Sequence, residues 1–260
     1  MRIKRKNKRK NHHRRNLNIV YFAPSLLTVT NLYFGFLSIN FSIKGKFDLA
    51  AIFVIFAAIM DLLDGRLARA LKISSPIGRE LDSLSDIISF GVAPSILIYL
   101  WALKDLPRIG SLIAFVYLVG GALRLSRYNV LAARGISARH YFEGLPIPSA
   151  SMVPVSTVLF FRTPPQSPIF IPLLAGVIFT LPFLMVSKVR YRSFKDINLK
   201  SREHYLTVLL FALVLSALAA WPRHVIFFVT SLYVLSGPIR AILLFVKKKK
   251  TVEQEDGLRA

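Results

Sequence analysis

The sequence predicts an all-α fold, a polytopic membrane helical bundle of about eight transmembrane helices. Three observations carry that expectation. The chain is 54% hydrophobic over 260 residues with a mean hydropathy of +0.52, well beyond an ordinary soluble domain. Its apolar stretches recur at lengths close to the roughly 20 residues a helix needs to cross about 30 Å of hydrocarbon. Its positive charge also falls in alternate connecting segments.

Taken in order, the first span runs from Val20 to Ile43, behind a basic tail from Met1 to Arg15. It is too long for a signal-peptide core and lacks a small-residue cleavage site, so the tail stays attached. The second span, Leu49 to Leu71, meets the third, Leu81 to Leu103, across a short connection at Lys72 to Pro76, which Ser74, Ser75 and Pro76 punctuate. These two are therefore antiparallel neighbours. Ile109 to Val130 is the fourth. Ile147 to Phe161 is the fifth and shortest, and Pro146 and Pro148 start it or shape a pocket entrance. Ile169 to Ser187, Tyr205 to Trp221 and Val225 to Val246 complete the set.

The net charge of +22 invites a nucleic-acid reading, but its distribution argues otherwise. All but six of the 35 Lys and Arg fall in the segments that share a side with the N-terminus. The exceptions are Lys44, Lys46, Lys104, Arg108, Arg162 and Arg223. The positive-inside rule then puts both termini in the cytoplasm, as an even number of spans requires. The tail is read as a topogenic or lipid-headgroup segment, not a nucleic-acid arm. With no cysteine, disulfides, thiolate metal sites and thiol nucleophiles are excluded.

Of only 13 acidic residues, Asp61, Asp64, Asp82 and Asp86 fall inside the second and third spans. An aspartate at a helix centre costs about 2.5 to 3.5 kcal/mol on insertion scales, so four of them demand a partner or a function. Spacings of three and four residues put each pair on one helix face, at similar depth on the two sides of the hairpin. Four oxygen ligands without Cys or His suit a hard divalent ion, Mg²⁺ or Mn²⁺, with Ca²⁺ as an alternative occupant. Two ions would balance four carboxylates and serve phosphoryl chemistry by clamping a diphosphate. Gly65, Ala68 and Gly78 either leave room beside the acids or permit close helix packing. Arg69 is placed for a bidentate phosphate contact.

Written out, Asp61-Leu62-Leu63-Asp64-Gly65-Arg66-Leu67-Ala68-Arg69, eight residues, Gly78, three residues, Asp82, three residues and Asp86 resembles the CDP-alcohol phosphatidyltransferase signature at every fixed position. The resemblance implies a six-helix catalytic core in which Asp61, Asp64 and Asp82 ligand a binuclear metal centre and Asp86 joins it or acts as base. It implies that Gly65, Ala68, Arg69 and Gly78 receive the CDP moiety, with family-like Thr28 and Asn31 on the CDP-diacylglycerol side. The reaction implied is attack of an alcohol on the phosphorus bearing diacylglycerol, expelling CMP.

Ser89 to Ser95, Ala122 to Asn129, Phe142 to Ser149 and Met185 to Lys195 resemble the bacterial-type phosphatidylserine synthase branch, making L-serine the expected alcohol. A serine pocket needs a cation, and Arg124, Arg127 and Asn129 are its candidates. The resemblance also implies a homodimer in the cytoplasmic membrane with its site facing the cytosol. The chain then divides into a basic tail (1–19), the catalytic membrane domain (20–196), an added two-helix hairpin (197–246) and a second tail (247–260). A sister enzyme using glycerol 3-phosphate or inositol phosphate is the nearest competing reading. A cation or proton transporter is a remoter one, since intramembrane acids also mark ion paths.

Overall fold

The computed structural model describes residues 25–71, 76–106, 108–134, 141–192, 212–213 and 216–257. The basic tail 1–19, the connection Lys72 to Ser75 and most of the expected seventh span lie outside them. Helix α1 (Ser25–Ile43) ends where Gly45 takes φ 72°. There the Lys46 amide donates to the Phe41 carbonyl at 2.9 Å and the Gly45 amide to Ser42 at 3.0 Å. This is a Schellman ending, whose left-handed residue favours glycine. The chain turns at once into α2 (Phe47–Leu71), and Phe34, Phe41, Phe53 and Phe56 stack between the two helices.

Helix α3 (Pro76–Trp101) starts ahead of the expected Leu81, because a proline's missing N–H costs nothing in a first turn. Residues Ile87–Val92 within it take the wider π winding, directly after Asp86. Tyr117 of α4 (Ile109–Ala133) donates to the Phe90 carbonyl of that segment at 3.0 Å. A short strand β1 (Tyr141–Glu143) follows, then α5 (Ile147–Phe161) and α6 (Phe170–Val186), and β2 (Arg190–Arg192) pairs antiparallel with β1. The strand pair, with Phe142 opposite Tyr191, was not anticipated from the sequence; at three residues each the strands leave the fold an all-α bundle. The last helix, α7 (Pro222–Gly257), starts ahead of the expected Val225. It also continues through much of the segment read as a tail, where Lys, Glu and Gln are good helix formers.

α5 lies at the centre, buried without interruption from Pro154 to Leu159, and it packs on α2, α3 and α7 while α4 packs mainly on α6. At Gly120 an added Cβ would lie 2.7 Å from the Pro182 Cα, so α4 and α6 touch backbone to backbone. Leu26, Phe36, Leu112, Phe115, Leu173 and Leu232 are instead exposed on the outer faces, as contact with acyl chains requires. Among the described residues, four helical stretches are long and apolar enough to cross a membrane: Ser25–Ile43, Pro76–Trp101, Ile109–Ala133 and Pro222–Ala241. α5 and α6 are apolar but shorter, while α2 has the length and carries Asp48, Asp61 and Asp64 along it. The protein is therefore a polytopic helical membrane protein.

Candidate functional site

The site is built on the α2–α3 hairpin. Because Asp61 and Asp64 are nearly one turn apart on α2, and Asp82 faces them from α3, three carboxylate oxygens converge, all within 4.8 Å of one another. Asp86 lies one turn beyond Asp82 at the entrance to the π segment and stands outside that group of three. Asp64 is buried, while Asp61, Asp82 and Asp86 are half-buried. Oδ1 of Asp82 and of Asp86 are buried without a hydrogen-bond partner among the described residues. Buried carboxylate oxygens rarely stay unpartnered in a folded protein, and a bound cation satisfies them. Hard oxygen donors at this spacing fit a divalent ion.

The third wall is α1. Thr28 Oγ1 donates to Asp64 Oδ2 at 3.0 Å, so the residue assigned from sequence to the lipid-nucleotide side also orients a carboxylate. Ser85 and Ser89 of α3 donate to the Thr28 and Asn31 carbonyls at 3.2 and 3.1 Å, fastening α1 along the acidic face of α3. Asn31 is fully buried, and neither polar atom of its side-chain amide has a hydrogen-bond partner among the described residues. Neither serine had been singled out as an anchor; the repeat of small residues through Ser85, Ser89 and Gly91 was the available signal.

Gly65 and Ala68 lie on α2 after Asp64, half-buried. A Cβ at Gly65 would meet only the Arg69 guanidinium, at 3.5 Å, so the helix surface beside the acids is open. Arg69 is exposed, and its charge acts on Asp61. Gly78 occupies the first turn of α3, one turn before Asp82.

The three α4 candidates separate. Arg124 interacts electrostatically with Asp86, and its Nε is buried without a hydrogen-bond partner among the described residues. Arg127 turns away to pair with Glu143 at 2.7 Å and donates to the Val186 carbonyl at 3.2 Å, clamping β1 to the end of α6. Asn129 donates to Ser83 Oγ at 2.8 Å, bracing α4 against α3. The structure thus places Arg124 within electrostatic reach of Asp86 and engages the other two in bonds between elements.

Residues 21–186 match the family described as CDP-alcohol phosphatidyltransferase. The chain is 35% identical over 238 residues, covering 89% of it and 95% of the relative, to the CDP-diacylglycerol--serine O-phosphatidyltransferase of Helicobacter pylori strain J99. It is 39% identical over 174 residues to the protein of the same name from Bacillus subtilis strain 168, covering 67% of this chain and 92% of that one. An archaetidylserine synthase of Methanothermobacter thermautotrophicus is 40% identical over 171 residues, 65% of this chain and 68% of its own.

Proposed function

This chain belongs to the CDP-alcohol phosphatidyltransferase family, and from that membership we propose that it transfers the phosphatidyl group of CDP-diacylglycerol to L-serine, giving phosphatidylserine and CMP. Similarity that runs nearly end to end with a relative named for serine supports the acceptor. The observation that carries the chemistry is the convergence of Asp61, Asp64 and Asp82 within 4.8 Å.

In this reading Asp61, Asp64 and Asp82 would hold two divalent cations, with Asp86 bordering the centre. What a bound pair of Mg²⁺ or Mn²⁺ ions supplies is neutralisation of the diphosphate and of the charge on the leaving oxygen. Asp86 accepts the proton of the serine hydroxyl as that oxygen bonds to the phosphorus bearing diacylglycerol. The bond from this phosphorus to the CMP oxygen breaks, and CMP departs with the electron pair. Gly65, Ala68 and Gly78 give the nucleotide close access to α2 and α3, and Arg69 contacts a phosphate. Asn31 lies on the same side as Thr28, which fixes Asp64. Arg124 meets the acceptor's carboxylate.

The charge distribution supports placing both termini and the site on the cytoplasmic side of the cell membrane. We take 20–196 as the catalytic unit, 197–246 as an added hairpin, and a homodimer as the assembly. The deciding experiment measures CMP release by the purified protein with CDP-diacylglycerol and L-serine, glycerol 3-phosphate or inositol phosphate, with and without Mn²⁺ or Mg²⁺. Release with serine alone, and only when a divalent ion is present, is the expected result. Release with glycerol 3-phosphate but not serine overturns the acceptor, and ion transport in proteoliposomes without CMP overturns the enzyme.

A further inference from the structure

The family match ends at residue 186, yet α7, far beyond it, packs against α5 at the centre of the bundle and against β2. On its inward side lies Tyr233, whose hydroxyl hydrogen-bonds with Ser149 in the first turn of α5. The same tyrosine interacts electrostatically with Arg124, which also feels Asp86 and Tyr128. Arg124 is therefore within electrostatic reach of both the acid assigned to take the acceptor's proton and a phenol delivered by the last helix. Its Nε is buried without a hydrogen-bond partner among the described residues.

The position of Tyr233 is itself enforced. The Tyr191 ring of β2 packs against Gly237 so closely that any side chain there would collide with it. The Tyr191 hydroxyl donates to the Val234 carbonyl at 3.4 Å, and its ring lies 5.7 Å from that of Tyr233. Burial and the neighbouring Tyr233 push the Tyr191 phenol up to about 12, so it stays a donor at any physiological pH. Strand β2 is in turn paired with β1, and β1 is clamped to α4 by the Arg127–Glu143 ion pair. The hairpin thus registers α7 against the helix that carries Arg124.

We propose that Tyr233 is a specificity-determining positioning residue: held by Ser149, it orients the Arg124 guanidinium toward the carboxylate of an amino-acid acceptor whose hydroxyl lies at Asp86. The inference rests on the transferase reading above and deepens it, giving the helix outside the family match a part in acceptor choice. An amino alcohol without a carboxylate gains nothing from this arrangement. One with it gains a charge-assisted contact from a guanidinium whose freedom is already restricted.

The test is Tyr233→Phe, which deletes the hydroxyl and keeps the ring against Tyr191, with Ser149→Ala as a second variant. KM is measured separately for L-serine and CDP-diacylglycerol, and kcat/KM is compared between L-serine and serinamide. For Tyr233→Phe, KM for serine rises about fivefold, in line with losing the hydrogen bond between the neutral Tyr233 and Ser149 hydroxyls. KM for CDP-diacylglycerol stays within twofold, and the preference for serine over serinamide narrows. Ser149→Ala shifts the serine KM the same way by a smaller factor. An unchanged serine KM in Tyr233→Phe overturns the proposal, as does an equal loss for serine and serinamide, which marks a merely structural role. If the unaltered protein forms no CMP with serine, the functional reading has failed instead, so the two failures are distinguishable.

Discussion

Asp64 shows how one side chain in this site depends on another. Its carboxylate is buried with 5% exposure and receives hydrogen bonds from the Thr28 hydroxyl and the Gly65 backbone, leaving lone pairs for a cation. Asp64→Asn removes a ligand charge while conserving volume, so turnover should fall to background while the protein still inserts and purifies. Retained turnover would break the metal argument. Thr28→Val is the more discriminating change. It removes the side-chain bond to Asp64, and partners that orient ligands typically contribute 10- to 100-fold in metal affinity. The Mn²⁺ concentration for half-maximal activity should rise by about tenfold, with turnover at saturating metal largely kept. An unchanged metal titration would show that the Thr28 bond does not set the ligand geometry.

At the scale of helices, close backbone approach fixes the frame on which the acids converge. At Gly35 a Cβ would come within 2.9 Å of the Ser89 Cα, tying α1 to the π segment, and Gly120 meets Pro182 in the same way across α4 and α6. Gly176 on α6 has nothing within 4 Å of an added Cβ. Gly120→Ala should therefore force α4 and α6 apart and lower stability in detergent by about 1 to 3 kcal/mol. Gly176→Ala should be neutral or stabilising by up to about 1 kcal/mol through helix propensity. Equal melting temperatures for the two variants would contradict the packing. The same elements mark what could be read in advance. Acids inside apolar runs stand out because their insertion cost is anomalous, and their helical spacing alone put Asp61, Asp64 and Asp82 on facing surfaces. The π winding after Asp86 left no local trace, since Ile87 to Val92 is as apolar as any other turn. The three-residue strands exist only because the chain after α6 returns beside Tyr141. Tyr233 was invisible for the same reason: its meaning comes from Ser149 and Arg124, residues distant in sequence that the fold brings beside it.

For the whole molecule, the decisive variable is which face of the membrane meets the hairpin. The acids lie about two to three turns from the α2–α3 connection, so substrates must arrive from whichever side that connection faces. In the proposed orientation it is the cytoplasm, since Lys44 and Lys46 lie at the opposite end of α2 from Arg69, and Lys104 at the opposite end of α3 from Arg79. Because the chain has no cysteine, single cysteines can report this without background. Lys104→Cys and Lys188→Cys sit at exposed positions on opposite sides and outside the catalytic machinery, so both variants should remain active. In intact cells a membrane-impermeant maleimide should label Lys104→Cys, whereas Lys188→Cys should react only after permeabilisation. The reverse pattern would place the carboxylates on the outer face. A cytosolic amino acid and a nucleotide-linked lipid would then have no shared route to Asp86, and the transferase reading would have to give way.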